Sequence, residues 1–133
     1  MDQILLVTEQ IEGGRKLVER LTANGIPVTA AGWVKESDRW QWYLYLVTPL
    51  VGEDGATTPA YRRIIAILRA GPQPPEIDLF QIKAVGPSEP VGKAILDAQR
   101  HSGRHWGVYG GTSLGGMSVD AAYFYPPLVA AGK

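Results

Sequence analysis

The run Trp40-Gln41-Trp42-Tyr43-Leu44-Tyr45-Leu46-Val47 restricts the fold more than anything else in the chain. Large apolar and aromatic residues follow one another without the polar alternation of a half-exposed strand. Such a segment is an interior strand, covered on both sides, or covered on one side and capped by a partner on the other. The turn Glu36-Ser37-Asp38-Arg39 precedes it and the loop Gly52-Glu53-Asp54-Gly55 follows it. Ahead of that turn, Pro27–Lys35 reads as another strand, so the two form an antiparallel hairpin.

Helical and strand periods place the rest. From Asp2 to Asn24, Ile4, Val7, Ile11, Val18 and Leu21 recur at helical spacing, and Asn24-Gly25 with Pro27 makes a stop. One helix is expected here, although Gly13-Gly14 inside it costs ~1 kcal/mol per glycine relative to alanine. The alternative is a short strand Ile4–Thr8 followed by a helix from about Glu12. Thr57-Thr58-Pro59 starts a second helix, a threonine capping free backbone donors and proline lacking one. Tyr61, Ile64, Ile65 and Leu68 form its buried stripe, and Gly71-Pro72 stops it. Glu76–Val85 reads as a third strand. Val91, Ala94, Ile95 and Ala98 mark a third helix ending near Ser102-Gly103. His105–Tyr125 holds two strands around Ser113-Leu114-Gly115-Gly116. The order α-β-β-α-β-α-β-β predicts a single α+β domain over residues 1–125, with a loose tail from 126 to 133. About five strands, mainly antiparallel, and about three helices packed on one face are expected.

Composition narrows the function classes. The 133 residues hold 13 basic and 13 acidic side chains, so the chain lacks the basic excess of a protein devoted to gripping nucleic acid. Cysteine is absent, which removes disulfides, thiolate catalysis and cysteine-ligated metals together. Ile4–Val7 is too short for the core of a signal peptide, and no stretch approaches a membrane span. A cytoplasmic protein is expected, with no cofactor, no metal and no membrane partner.

Several motifs fail on context. Gly111-Thr112-Ser113-Leu114-Gly115 matches G-x-S-x-G, but no histidine follows Ser113 and a strand pattern, not a helix, comes next. A glycine-rich hairpin turn accounts for it better. The glycines from Gly107 to Gly116 lack the following helix that a phosphate cradle needs. Gln81-Ile82-Lys83 near Asp78 would need a further acid, Asp38, Glu53 or Asp54, to form a metal-dependent phosphodiesterase site.

Two surfaces remain. Trp33, Trp40, Trp42, Tyr43 and Tyr45 crowd one hairpin, more aromatic area than one sheet face needs. An exposed aromatic edge there would serve self-association or protein binding. Arg100, His101, Arg104, His105 and Trp106 join cations, imidazoles and an indole across a glycine turn. With Arg62 and Arg69, seven apart on the second helix, they could contact phosphates and stack on a base.

Gly25-Ile26-Pro27-Val28-Thr29-Ala30-Ala31, Trp42–Val51 and Ala60-Tyr61-Arg62-Arg63-Ile64 together resemble a group of short bacterial proteins with no assigned activity. The resemblance spans most of the chain and implies a bacterial, cytoplasmic, single-domain protein. The first functional expectation is therefore a non-enzymatic interaction or accessory domain using the aromatic hairpin or a sheet edge. Nucleic-acid binding comes second and a metal-dependent phosphodiesterase last.

Overall fold

A computed structural model describes residues 8–37, 41–52, 57–71, 79–102 and 112–125. Helix α1 spans Thr8–Ala23 and turns Leu17, Val18 and Leu21 inward, while Glu9, Glu12, Arg15, Lys16 and Glu19 face out. It ends where the sequence places the stop. The N–H of Ile26 bonds the Leu21 carbonyl at 3.0 Å and that of Gly25 bonds the Thr22 carbonyl at 3.1 Å. Gly25 sits at φ 90°, and buried Ile26 packs down on the core beside Leu21. Of the alternative strand Ile4–Thr8, only Thr8 is described, and it is the first residue of α1; the rest lies outside the described residues.

Strand β1 (Ala30–Glu36) and strand β2 (Tyr43–Val47) form the expected antiparallel hairpin, with Gly32 opposite Tyr45 and Val34 opposite Tyr43. Every residue of both strands is buried. Helix α2 (Thr58–Arg69) then carries the chain across to strand β3 (Ile82–Val85), which pairs parallel with β2. Thr57 precedes α2 without a side-chain cap bond; its carbonyl takes the Tyr61 N–H instead. Of the described residues in the expected third strand, Leu79–Val85, only the last four are extended, behind a short turn of 3-10 helix, Leu79–Gln81. Helix α3 spans Pro90–Ser102, and the hairpin of β4 (Thr112–Leu114) and β5 (Met117–Phe124) closes the fold. Gly115 and Gly116, at φ 61° and 88°, form its two-residue turn, a backbone that side chains beyond glycine resist. The strand order is β3-β2-β1-β5-β4 in a mixed sheet, so the class is α+β as expected.

The helices do not share one face. On one side α1 and α2 cover Trp33, Leu44, Leu46 and Ile82; on the other α3 lays Ile95 over Val34, Val47, Val119 and Phe124. The reason is visible in β2, whose Leu44 and Leu46 point one way and Tyr43, Tyr45 and Val47 the other. Burying a side chain of that size is worth ~1.5–3 kcal/mol, so neither face is left to water.

Tyr125 ties the two layers together. Its hydroxyl accepts from the Trp33 indole Nε1 at 2.8 Å and donates to the Ile11 carbonyl of α1 at 2.6 Å. Its carbonyl accepts from Gln99 Nε2 of α3 at 2.7 Å. Gly14 makes this possible, because a Cβ there would run into the Tyr125 hydroxyl and the Trp33 indole. The glycine that weakens α1 as a helix lets it sit directly on the sheet.

Candidate functional site

The aromatic hairpin is interior. Trp33 is 0% exposed, and Trp42, Tyr43 and Tyr45 are buried as well, while Trp40 lies outside the described residues. Packing on both sheet faces consumes the aromatic area that the sequence reading offered to a partner, so the expected exposed aromatic surface is corrected. The adjoining sheet margin at β3 is also closed. The Tyr61 hydroxyl of α2 takes the outward Ala84 N–H at 2.8 Å and reaches the Ile82 carbonyl at 3.4 Å, standing in for a neighbouring strand. Phe80, 86% exposed, precedes that strand, and one exposed large apolar side chain among the described residues is ordinary.

One polar cluster is built into the sheet. Glu36 is the last residue of β1 and not a turn residue. Its Oε2 accepts from the Tyr45 hydroxyl at 2.6 Å and from Lys83 Nζ at 3.0 Å. The Lys83 ammonium lies 4.4 Å from the centre of the Tyr43 ring and 5.6 Å from that of Tyr45. Burial, then the hydrogen bond to Glu36, pushes the Tyr45 hydroxyl well above its ordinary range, so it stays protonated and donates. Beside it, β5 carries a bulge opposite Lys35 and Glu36. The bulge turns Asp120 outward, where it takes Lys35 Nζ at 3.3 Å and the Ser37 hydroxyl at 3.0 Å. Those two bonds hold the Asp120 carboxyl below its usual value. Each charge in the cluster meets its opposite, and the result is a matched internal network rather than a poised reactive group.

That network bears on the phosphodiesterase expectation. Lys83 faces Glu36 and two tyrosine rings, and Gln81 Nε2 donates to the Trp42 carbonyl at 3.2 Å from the 3-10 turn, not from the Lys83 face. Asp38, Glu53, Asp54 and Asp78 lie outside the described residues. Among the described residues no group of three or more histidines or acids gathers as metal ligands. Ser113 is exposed in β4 and leads into the Gly115-Gly116 turn, so the G-x-S-x-G pattern is a hairpin here.

The basic candidates are described only in part. Arg100 and His101 fall in the last turn of α3; Arg104, His105 and Trp106 lie outside the described residues. Arg62 and Arg69 are exposed on α2, which packs on the opposite sheet face from α3. The described part of the expected joint patch is thus Arg62 and Arg69 alone.

What α2 does present is a face of one kind. Arg62, Arg63 and Arg69 are exposed, with Ala66 exposed between them and Pro59 and Ala70 exposed on either side. The helix contains no aspartate, glutamate or lysine. None of the three arginines enters an ion pair among the described residues. Arg20 of α1 lies against the other end, its Nη2 donating to the Ile67 carbonyl at 2.8 Å as a C-terminal cap. The sequence reading noted this arginine stripe but missed the Glu36–Tyr45–Lys83 network. The signal was the same-face alternation of Gly32, Val34 and Glu36, hidden when Glu36 was assigned to the turn.

Comparison of the chain with protein-family models, with curated proteins and with solved structures finds no match in any of the three. No described helix is long and apolar enough to cross a membrane.

Proposed function

We propose that this chain is a non-enzymatic interaction domain whose docking surface is the outward side of α2 rather than the aromatic hairpin. The carrying observation is the set of exposed arginines Arg62, Arg63 and Arg69 on a helix without a single acid or lysine. A helix that merely faces water usually mixes both signs and uses lysine and glutamate. Protein contact surfaces instead favour arginine and deplete lysine, glutamate and aspartate. The guanidinium fork suits bidentate pairing with carboxylates, so the complementary surface is acidic. The held position of Lys83 against Glu36 supports a binding reading over a phosphodiesterase reading.

The test uses the full chain and its Arg62→Glu/Arg69→Glu variant as baits in an extract of the cells that make it, with retained proteins quantified. Proteins held by the wild type and lost by the variant are expected. Identical retained sets reject the α2 surface.

A further inference from the structure

Strand β3 forms one margin of the sheet and pairs on its inner side with β2. The Thr48 N–H donates to the Val85 carbonyl at 2.9 Å, so Val85 and Lys83 turn their backbone groups toward β2. Ile82, Ala84 and Gly86 turn theirs outward. An outward row of this kind is a template for another strand. Here it is closed. The Tyr61 hydroxyl accepts from the Ala84 N–H at 2.8 Å and reaches the Ile82 carbonyl at 3.4 Å. Glu89 Oε2 accepts from the Gly86 N–H at 3.1 Å, and the Gly86 carbonyl accepts from the Glu89 N–H at 3.1 Å.

The two closures differ in origin. Glu89 is three residues from Gly86 and belongs to the turn that leads into α3. Tyr61 comes from a separate helix, 23 positions before Ala84. Its ring packs on a buried cluster of Val51, Ala60 and Ala84, which fixes the hydroxyl level with the row. A phenylalanine would fill that seat equally well, so the seat does not explain the hydroxyl. Strand β3 has little defence of its own. It contains no proline, its pairing with β2 runs in unbroken register, and its one charge, Lys83, is turned to the α3 face and held by Glu36. Proline, a bulge or a free charge is what usually protects a margin.

We infer that the Tyr61 hydroxyl guards the β3 margin against strand addition, and that the strand it excludes is β3 of a second copy of this chain. The outward row carries a donor at Ala84 and an acceptor at Ile82, so it complements itself when a second copy is turned end for end. The charge of Lys83 is matched inside its own copy by Glu36 and does not bar that approach. With the hydroxyl in place, the Ala84 N–H is already taken and the tyrosine stands where the incoming backbone would lie. The guard is separate from the outward arginines of α2 and does not depend on the docking reading above.

Three variants of the full chain test this. Tyr61→Phe keeps the ring and removes the hydroxyl, and Tyr61→Ala opens the margin. Tyr61→Ala/Ala84→Pro opens it but withdraws the outward N–H, at no cost in bonds to β2. In hydrogen exchange followed by NMR, the Ala84 amide of Tyr61→Phe is expected to exchange ~10-fold faster than in the wild type. In sedimentation equilibrium, Tyr61→Ala is expected to self-associate at least ~10-fold more tightly than the wild type. Tyr61→Phe is expected to do so to a smaller extent, and the proline variant to return to wild-type behaviour. Circular dichroism compares the folds, and if Tyr61→Ala unfolds, Tyr61→Phe alone decides. Unchanged Ala84 exchange in Tyr61→Phe overturns the guard. So does a folded Tyr61→Ala that sediments as the wild type does, or a folded proline variant that still associates.

Discussion

On α1, Arg15 reaches Glu12 at one end and Glu19 at the other, and the outward charges balance within the helix. On α2, over the same face of the sheet, Arg62, Arg63 and Arg69 stand among exposed alanines with no acid of their own helix to meet. The inward sides differ too. Gly14 brings the α1 backbone against Trp33 and Tyr125, whereas α2 reaches the sheet through Ile64 and Leu68. Where a helix is seated by close backbone approach, its stability is decided by what cannot be added. Where it is seated by long side chains, stability is decided by what cannot be removed.

Substitutions can break that contrast. Ile64→Ala, in the fully buried seat of α2, is expected to cost ~2–5 kcal/mol in urea unfolding by leaving a cavity. Gly14→Ala gains helix propensity yet is expected to lose ~1–3 kcal/mol overall, because its methyl meets the Tyr125 hydroxyl. A stabilised Gly14→Ala protein would show that α1 does not sit that close. Arg20→Met removes the tie from α1 to the last carbonyls of α2 and is expected to cost about 1 kcal/mol. Arg15→Ala touches only exposed pairs and should leave the urea midpoint of the monomer within error.

The smallest expected effect is with acid. Arg15 holds the Glu12 carboxyl below its usual value, and Ser37 with Lys35 does the same for Asp120. A carboxyl lowered by folding contributes fully above the ordinary carboxylate range, and the contribution is lost as pH falls through its lowered value. Both groups are exposed, so a slight fall in stability below the carboxylate range is expected, read from urea midpoints against pH. Carboxyl titrations followed by NMR should place both groups below their unfolded values.

Much of this fold was legible because local chemistry and tertiary packing agree. The Asn24-Gly25 stop, the 115–116 turn and the hairpin of β1 and β2 each follow from residues close in sequence. The placement of α3 on the second face was also implied by β2, apolar on both sides, but two local hairpins suggested a one-sided sheet. The shortness of β3 was not legible: Leu79-Phe80-Gln81 has strand-like composition and forms a 3-10 turn. The Glu36–Tyr45–Lys83 network joins residues from separate strands, 9 and 47 positions apart, and no spacing rule announces it. The aromatic hairpin misled for a related reason. Composition counts aromatic area but cannot assign it to a sheet face, and here both faces were waiting for it.

The Tyr125 clamp joins parts of the chain far apart in sequence. Its hydroxyl binds a carbonyl 114 residues upstream and an indole 92 residues upstream, while its own carbonyl is held by α3. The seat of the first helix on the sheet is therefore complete only when nearly the whole described chain is present. Contacts this distant in sequence slow folding, because a long loop must close before any of them rewards it. Shortening the chain to before Tyr125 would thus take away part of the N-terminal helix's seat rather than trim an end.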